Sequence, residues 1–272
     1  MKNIKSYGIT KNVRIKDNFE LHLEEFNFLG YTIIKNGLDK KDVEILSKDL
    51  DRIYKIQEAE FGKSKLKSIN EENLVRFPLA YSEKFADLAT HPKFLKYVEK
   101  ILGNYFILHL QNGIINIPGT EHHQSSWHRD LPYQNWTSSE PLACNVFFCL
   151  DDFNENTGGT YVLPFSHQYT QTPSANFIEN KSIQINAPAG SVIIFNSMLF
   201  HKAGFNYSND TIRRGINQLY AKAFIAQQMN LPALLHGKYA NDPVKKMIFG
   251  YQTQLATSVK EFRAMRYRKN KL

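Results

Sequence analysis

The hydrophobic period of the sequence changes at Phe106-Ile107-Leu108-His109-Leu110, and this change governs the architecture that we expect. From about Tyr105 onward, short apolar runs alternate with Gly, Pro, Asn and Asp, a pattern typical of β-strands joined by turns. The further runs are Cys144 to Leu150, Tyr161-Val162-Leu163, Ser191 to Phe195, and Ile216 to Phe224. Many short strands of this kind predict a barrel or a double-sheet jelly roll.

The sequence before this region has the period of amphipathic helices. After a strand-like segment from Gly30 to Ile34, Asp39 can cap a helix whose apolar face is Val43, Leu46, Leu50 and Ile53. A second helix is expected between Pro92, which suits a first turn, and Gly103, which suits a helix end. Both helices should pack against a flat surface.

These patterns predict one domain over residues 1–272, mainly β with flanking helices. The helical support lies mostly in 39–103, the β core in about 105–225, and a C-terminal helical segment in 227–272.

The composition is that of an ordinary folded protein, with 42% hydrophobic and 22% charged residues among 272. No apolar run is long enough to cross a bilayer and the opening of the chain is polar, so we predict a cytoplasmic protein with no membrane association. If Cys144 and Cys149 lie on one strand, their odd separation directs them to opposite faces. They should therefore remain unbridged, as expected in a reducing compartment.

The formal net charge of +8 favours an anionic small-molecule substrate. Most of the positive charge is spread along the chain. The one dense basic cluster lies in the C-terminal tail and consists of Arg263, Arg266, Arg268, Lys269 and Lys271. Such tails are usually solvated, so no nucleic-acid partner is predicted.

The sharpest local motif is Trp127-His128-Arg129-Asp130. In an extended segment, His128 and Asp130 point to the same side, so an imidazole and a carboxylate can occupy adjacent corners of a metal site. A His-x-Asp pattern alone is common. The best third ligand is His201, which follows the apolar run that ends at Phe195.

Two histidines and one carboxylate leave three positions free on an octahedral metal. Non-haem Fe(II) oxygenases need this arrangement because a co-substrate and O₂ must both reach the metal. A zinc hydrolase could use the same three side chains, so the ligands alone leave the reaction open.

Arginine side chains occur downstream in Arg213-Arg214-Gly215-Ile216-Asn217. A guanidinium group can hold a carboxylate through two parallel hydrogen bonds. Since neighbouring residues of a strand face opposite ways, only one of the two arginines can point inward. We choose Arg213 as the 2-oxoglutarate anchor and keep Arg214 as the alternative.

The chain resembles the phytanoyl-CoA dioxygenase family of Fe(II)/2-oxoglutarate oxygenases. The matching motifs keep the family's order over roughly residues 25 to 225. They are Phe28-Leu29-Gly30-Tyr31, His91-Pro92, Leu102-Gly103, Trp127 to Asp130, Leu150-Asp151-Asp152, Thr157-Gly158-Gly159-Thr160, Leu163 to His167, Pro188-Ala189-Gly190-Ser191, His201, Asn206 and Arg213.

The resemblance implies a cupin-like double-stranded β-helix with His128, Asp130 and His201 as iron ligands and Arg213 as the 2-oxoglutarate anchor. It implies Fe(II) as cofactor, 2-oxoglutarate and O₂ as co-substrates, and hydroxylation with release of succinate and CO₂. Halogenating relatives lack the ligand carboxylate, so Asp130 argues against halogenation. One departure is Phe165, where the family usually has Gly.

Other residues are weaker candidates. Alternation from Phe106 places His109 and Gln111 on the more polar face of the strand, and the resemblance suggests that this face lines the pocket. Gln111, Asn145 and Thr160 are then candidates to bind 2-oxoglutarate, and His109 to contact the substrate. The aromatic candidates for the substrate cavity are Trp127, Tyr133 and Trp136.

Two alternatives remain open at this point. One is a cupin-like metal enzyme of another class, such as a zinc or manganese hydrolase or isomerase, which needs no arginine anchor. The other is a non-enzymatic binding module, which has no use for the complete ligand set. The sequence specifies neither the substrate nor the oligomeric state.

Overall fold

The computed structural model describes residues 7–8 and 15–269. Lys271 of the basic tail, and the side chains of Arg268 and Lys269, lie outside that description. The helices are α1 (Asn18–Leu29), α2 (Lys40–Phe61), α3 (Lys63–Ser68), α4 (Glu83–Ala89), α5 (Pro92–Leu102), α6 (Ala175–Lys181), α7 (Leu231–Leu234), α8 (Pro243–Ile248) and α9 (Val259–Lys269). The strands are β1 (Tyr31–Ile34), β2 (Leu74–Arg76), β3 (Phe106–Asn116), β4 (Ala143–Cys149), β5 (Tyr161–Val162), β6 (Ile183–Gln184), β7 (Val192–Asn196), β8 (His201–Lys202) and β9 (Arg213–Lys222).

The strands form two antiparallel sheets. The major sheet has six strands in the order β1-β7-β4-β9-β3-β2, and the minor sheet has three in the order β6-β5-β8. Many neighbouring strands of the major sheet are not consecutive in the sequence, and the two sheets face each other. This is the arrangement of the predicted jelly roll, and it confirms the expected fold class.

Two clusters of buried apolar residues pack the helices and the two sheets together. The larger one joins the helices to the outer face of the major sheet, where Leu50 and Ile53 of α2 and Phe94 of α5 are buried. The smaller one lies between the sheets and includes Phe147 of β4 and Ile193 of β7. The inner faces of the two sheets therefore enclose an interior space that residues of both sheets line.

The two predicted helices form as expected. Asp39 caps α2 by accepting a hydrogen bond from the backbone N–H of Asp42 at 2.7 Å, and the four predicted apolar residues are all buried. Pro92 opens α5 and Gly103 follows its end with a positive φ of 88°.

Strand β3 departs from simple alternation. Its register with β9 shifts between Leu108 and Leu110, so that His109 forms a β-bulge. A bulge inserts one extra residue and reverses the facing of everything beyond it. As a result Gln111 faces the helices, and Asn112 lies opposite Asn217 on the inner side.

Phe165 follows β5 in a left-handed conformation, with φ 66°. Only glycine adopts this conformation without steric cost, which gives a physical reason for the glycine that the family usually has there. The side chain is about half exposed, and the backbone N–H donates to Leu29 O at 3.0 Å. The turn therefore keeps its shape in spite of the substitution.

Cys144 and Cys149 are both buried and free, as predicted. In the C-terminal segment, Leu231, Leu235, Ile248 and Phe249 join the larger apolar cluster. Among the described residues, no helix combines the length and the apolar character needed to span a membrane. That the whole chain forms one domain stays a prediction.

Candidate metal and co-substrate site

The three predicted ligand side chains converge on the minor sheet. His128 and His201 form an antiparallel bridge, with backbone hydrogen bonds of 2.9 and 3.0 Å in the two directions. Their rings lie 4.3 Å apart between centroids. Asp130 Oδ1 lies 3.6 Å from His128 Nε2 and 3.8 Å from His201 Nε2. One ligand atom from each residue can therefore meet around a single ion, since all lie within 4.8 Å of one another.

Both imidazoles are held with Nε2 toward the carboxylate. His128 Nδ1 donates to Ser126 O and His201 Nδ1 donates to Leu199 O, each at 2.8 Å. A carbonyl oxygen can only accept, so each Nδ1 carries the proton and each Nε2 presents its lone pair to the site. Burial lowers the pKa of His201 to about 4, which keeps this imidazole neutral at physiological pH.

Side chains alternate in direction along the extended segment from Trp127 to Asp130, which explains why His128 and Asp130 point to the same side. Trp127 and Arg129 point away from the ligands and pack on Phe200, with Trp127 stacked at 5.3 Å between ring centroids. Arg129 also donates to the backbone oxygens of Met198, Ser166, Tyr169 and Thr170. The residues between and beside the ligands thus fasten the segment to the minor sheet.

The second oxygen of Asp130 is occupied by side-chain amides. Asn145 Nδ2 donates to Asp130 Oδ2 at 2.6 Å, and Asn217 Nδ2 approaches the same oxygen at 3.4 Å. Asn145 Nδ2 also donates to Asn217 Oδ1 at 2.8 Å, and Ser197 Oγ donates to Asn145 Oδ1 at 2.6 Å. The predicted co-substrate residue Asn145 thus contacts a ligand carboxylate.

Arg213 lies inside the jelly roll and is only 1% exposed. Its guanidinium carbon lies 4.4 Å from the centroid of the Phe153 ring. Within the described part of the chain, its Nε and Nη2 atoms have no hydrogen-bond partner. Burial lowers the pKa of Arg213 to about 10, so the side chain remains a cation at neutral pH. A buried cation without a partner is costly, and an anionic ligand would remove that cost.

The side chain of Arg214 leaves β9 on the face opposite to that of Arg213. It bonds Asp51 through Nε and Nη2 and Asp151 through Nη1, at distances from 2.8 to 3.2 Å. These contacts fasten α2 to the outer side of the major sheet. The inward arginine is therefore Arg213, the first choice from the sequence.

A small cavity, of about 20 Å³, lies between two of the predicted ligands and Arg213. Its lining contains Asp130 and His201 together with Arg213. The remaining walls are mostly apolar, and the residues that complete the lining are Ile114, Gln124, Phe147, Thr160, Val162, Ile185, Ile193, Phe195, Ala203 and Asn217. A carboxylic acid in this space could reach both the metal position and the guanidinium group. Both the donor set and the unpartnered arginine fit a metal-bound diacid.

The structure brings some of the weaker candidates to this site and not others. Thr160 lines the cavity, and His109 is close enough for the charge of Asp130 to oppose the lowering of its pKa by burial. Gln111 does not reach the cavity. Its amide accepts from Leu79 N and donates to Phe85 O, each at 2.9 Å, because the bulge at His109 turned it toward the helices.

The aromatic candidates do not line the cavity. Trp127 stacks on the outer side of the ligand segment, and Tyr133 and Trp136 are 89% and 54% exposed. The last two follow Asp130 in the chain and remain candidates for substrate contact at the surface.

Two residues of the Asp130 network were not predicted. Asn217 had a usable signal, since it lies four positions after Arg213 in one strand and therefore shares its face. Ser197 had none, because it follows the end of β7 and its position depends on the turn that leads to His201.

The chain matches the family model of phytanoyl-CoA dioxygenase (PhyH) over residues 26–215. The chain belongs to the phytanoyl-CoA dioxygenase family. The match runs from α1 into β9 and includes the three predicted ligand residues and Arg213. The family confirms an oxygenase-type function and the expected pair of cofactors, Fe(II) and 2-oxoglutarate.

The chain is also similar to individual proteins, one of which is named a dioxygenase. The uncharacterised protein Rv1501 of Mycobacterium tuberculosis is 29% identical over 263 residues, which cover 92% of this chain and 94% of that protein. The dioxygenase aneA of Aspergillus aculeatus is 30% identical over 146 residues, or 50% of this chain and 49% of that protein.

Solved structures share the fold. The epimerase SnoN, in complex with Fe3+, alpha ketoglutarate and nogalamycin RO, aligns with a TM-score of 0.60 at 17% identity. The alignment covers 80% of this chain and 89% of SnoN. At this identity the likeness shows the jelly roll alone.

Proposed function

We propose that this protein is an Fe(II)- and 2-oxoglutarate-dependent dioxygenase that hydroxylates a small-molecule metabolite, releasing succinate and CO₂. The single observation that carries the proposal is the shared cavity: Asp130 and His201 of the His-Asp-His cluster line the same space as buried Arg213, whose Nε and Nη2 have no hydrogen-bond partner among the described residues.

Each residue has a role in this proposal. His128, Asp130 and His201 hold the metal, and Arg213 binds the far carboxylate of 2-oxoglutarate through parallel hydrogen bonds. Thr160, on the cavity wall, is a further co-substrate contact. When bound, ferrous iron with 2-oxoglutarate would supply the electrons that activate O₂ for oxidation of the substrate.

The arginine separates this proposal from the alternatives. A zinc or manganese hydrolase gains nothing from a buried guanidinium group that faces the metal side chains across an apolar cavity. A non-enzymatic module gains nothing from either group. Family membership supports the same choice, because the matched family is named for a dioxygenase.

The substrate side of the site is supported by fewer contacts. His109 lies at the bulge of β3, and its Nδ1 atom is buried without a hydrogen-bond partner in the described structure. We propose that this nitrogen accepts a hydrogen bond from the substrate, and that Tyr133 and Trp136 contact it at the entrance. The net charge of +8 favours an anionic substrate, and a cytoplasmic location stays a prediction from the sequence.

The test begins with metal-free protein under anaerobic conditions. Addition of iron(II), ascorbate and 2-oxoglutarate should produce the weak visible charge-transfer band of the iron-bound keto acid. Exposure to O₂ should then yield succinate. Asp130→Ala should abolish both signals, whereas Asp210→Ala, which removes an exposed carboxylate, should retain them. A folded wild-type protein that gives no band would contradict the proposal.

The reaction type is tested by screening small molecules for O₂ consumption that depends on 2-oxoglutarate. Incorporation of label from ¹⁸O₂ into the product, measured by mass spectrometry, would identify hydroxylation. Stoichiometric succinate with an unlabelled, rearranged or desaturated product would refute hydroxylation and leave the oxygenase type intact.

A further inference from the structure

Asp130 offers its two carboxylate oxygens to two different sets of partners. Oδ1 faces both histidine Nε2 atoms at 3.6 and 3.8 Å, whereas Oδ2 accepts the amide N–H of Asn145 at 2.6 Å. Asn217 Nδ2 donates to the same oxygen at 3.4 Å, and these two amide hydrogen bonds together engage both lone pairs of Oδ2. The hydrogen bonds therefore leave one carboxylate oxygen, Oδ1, available to bind a metal.

The orientation of the Asn145 amide is itself fixed. The carboxylate of Asp130 can only accept, so Nδ2 must face it, and Oδ1 at the opposite end of the amide accepts from Ser197 Oγ at 2.6 Å. Asp130 Oδ2 and Asn217 Oδ1 both accept from Nδ2, and the Ser197 hydroxyl holds the opposite end of the same amide. Without that hydroxyl, Asn145 Oδ1 would be a buried acceptor that has lost this partner, and the amide would be less firmly held against the carboxylate.

This network is buried and spans three elements. Asn145 and Ser197 are fully buried and Asn217 is 6% exposed. Asn145 comes from β4, Asn217 from β9, and Ser197 directly follows β7. Ser197 also fixes the backbone of the ligand, because its carbonyl accepts from Asp130 N at 2.9 Å. The central strands of the major sheet thus reach across the cavity to a ligand that belongs to the opposite side.

We infer that Ser197, acting through Asn145, is a positioning residue that holds Asp130 as a one-oxygen metal ligand. The inference rests on the proposed metal site. Its consequence is that metal affinity depends on a hydroxyl group whose hydrogen bond in the described structure is to Asn145 and not to a predicted metal ligand. Partners that orient a ligand in this way typically change metal affinity about 10- to 100-fold when they are removed.

The experiment measures metal affinity and requires no turnover. Co(II) is titrated calorimetrically into metal-free wild type, Ser197→Ala and Ser191→Ala, and the visible absorption of bound Co(II) reports the coordination geometry. Ser191→Ala is the matched control, because Ser191 is also fully buried but its hydroxyl has no hydrogen-bond partner in the described residues. Ser197→Ala should weaken Co(II) binding about 10-fold or more, and the control should bind like wild type.

A second step separates positioning from general damage to the fold. If Ser197 acts through Asn145, adding Ser197→Ala to Asn145→Ala should cause no further loss of Co(II) affinity. Additive losses of Co(II) affinity would show that Ser197 does not act through Asn145. Equal Co(II) affinities for Ser197→Ala and Ser191→Ala would also overturn the inference. A folded wild-type protein that binds no Co(II) would instead refute the metal site, so the two failures are distinguishable.

Discussion

Arg213 and Arg214 are consecutive in β9, yet one lies inside the jelly roll and the other ties the outer face of the sheet to a helix. Arg213 is 1% exposed and lies 4.4 Å from the Phe153 ring, whereas Arg214 pairs with Asp51 and Asp151. The two have the same charge and nearly the same position in the sequence. They therefore provide a matched pair for separating co-substrate binding from stability.

Replacement of Arg213 should weaken 2-oxoglutarate binding. In Arg213→Met, the loss of a charge-assisted pair should raise the dissociation constant roughly 30-fold, which corresponds to about 2 kcal/mol. Metal affinity should remain unchanged, since the ligands are intact. Calorimetric titration of 2-oxoglutarate into the Mn(II)-loaded protein measures this, and Arg214→Met should bind like wild type. The reverse order of effects would assign the anchor to Arg214.

The stability of the same two variants should change in opposite directions. Arg213 is a buried cation without a hydrogen-bond partner for Nε and Nη2 in the described residues. Arg213→Met should therefore stabilise the ligand-free protein, by about 1 kcal/mol or more. Arg214→Met should lower stability, since it leaves Asp51 and Asp151 unpaired. Urea unfolding checks both, and a destabilised Arg213→Met would show that the guanidinium group supports the fold.

Gln111 should matter for stability and not for co-substrate binding. Its side chain bonds the buried backbone of Leu79 and Phe85, so Gln111→Met leaves one donor and one acceptor unpaired. The expected cost is about 2–4 kcal/mol of unfolding free energy. Denaturant titration measures this cost, and calorimetry of the folded variant should give the wild-type affinity for 2-oxoglutarate. A loss of 2-oxoglutarate affinity without a loss of stability would show that Gln111 takes part in co-substrate binding.

Acid should destabilise the metal-free protein through its buried histidines. Burial lowers the pKa of His122 to about 3 from 6.5. Between those values the unfolded chain binds a proton that the folded chain does not. Unfolding free energy should therefore fall as the pH drops below 6.5, by up to about 1.4 kcal/mol per pH unit for this residue, and be unaffected by His122 above that pH.

The variant His122→Asn tests this pH dependence, because asparagine keeps an acceptor for the Gln124 N–H that His122 Nδ1 binds. Urea unfolding at pH 7 and pH 5 should show a smaller loss of stability for the variant than for wild type. The exposed His236 supplies the control, since His236→Asn should leave the loss unchanged. Equal losses in all three proteins would remove His122 as the cause.

Local patterns predicted much of this structure. The capped helix after Asp39, the helix that begins at Pro92 and the five apolar strands all depend on spacing within a few residues, and all are present. The predicted facing of Gln111 failed because one extra residue at His109 reverses the alternation of β3. A bulge of this kind depends on the partner strand, so alternation in one strand does not reveal it.

The sequence by itself determined which side chains are available: a His-x-Asp motif, a histidine after a later apolar run, and two adjacent arginines of which only one can face inward. Only the tertiary structure decided that Asp130, His201 and Arg213 line one cavity, which arginine enters it, and that Ser197 and the two asparagines support Asp130. The physical reason is that strand alternation is a local property, whereas the meeting of β4, β7 and β9 with the ligand segment depends on how two sheets pack together.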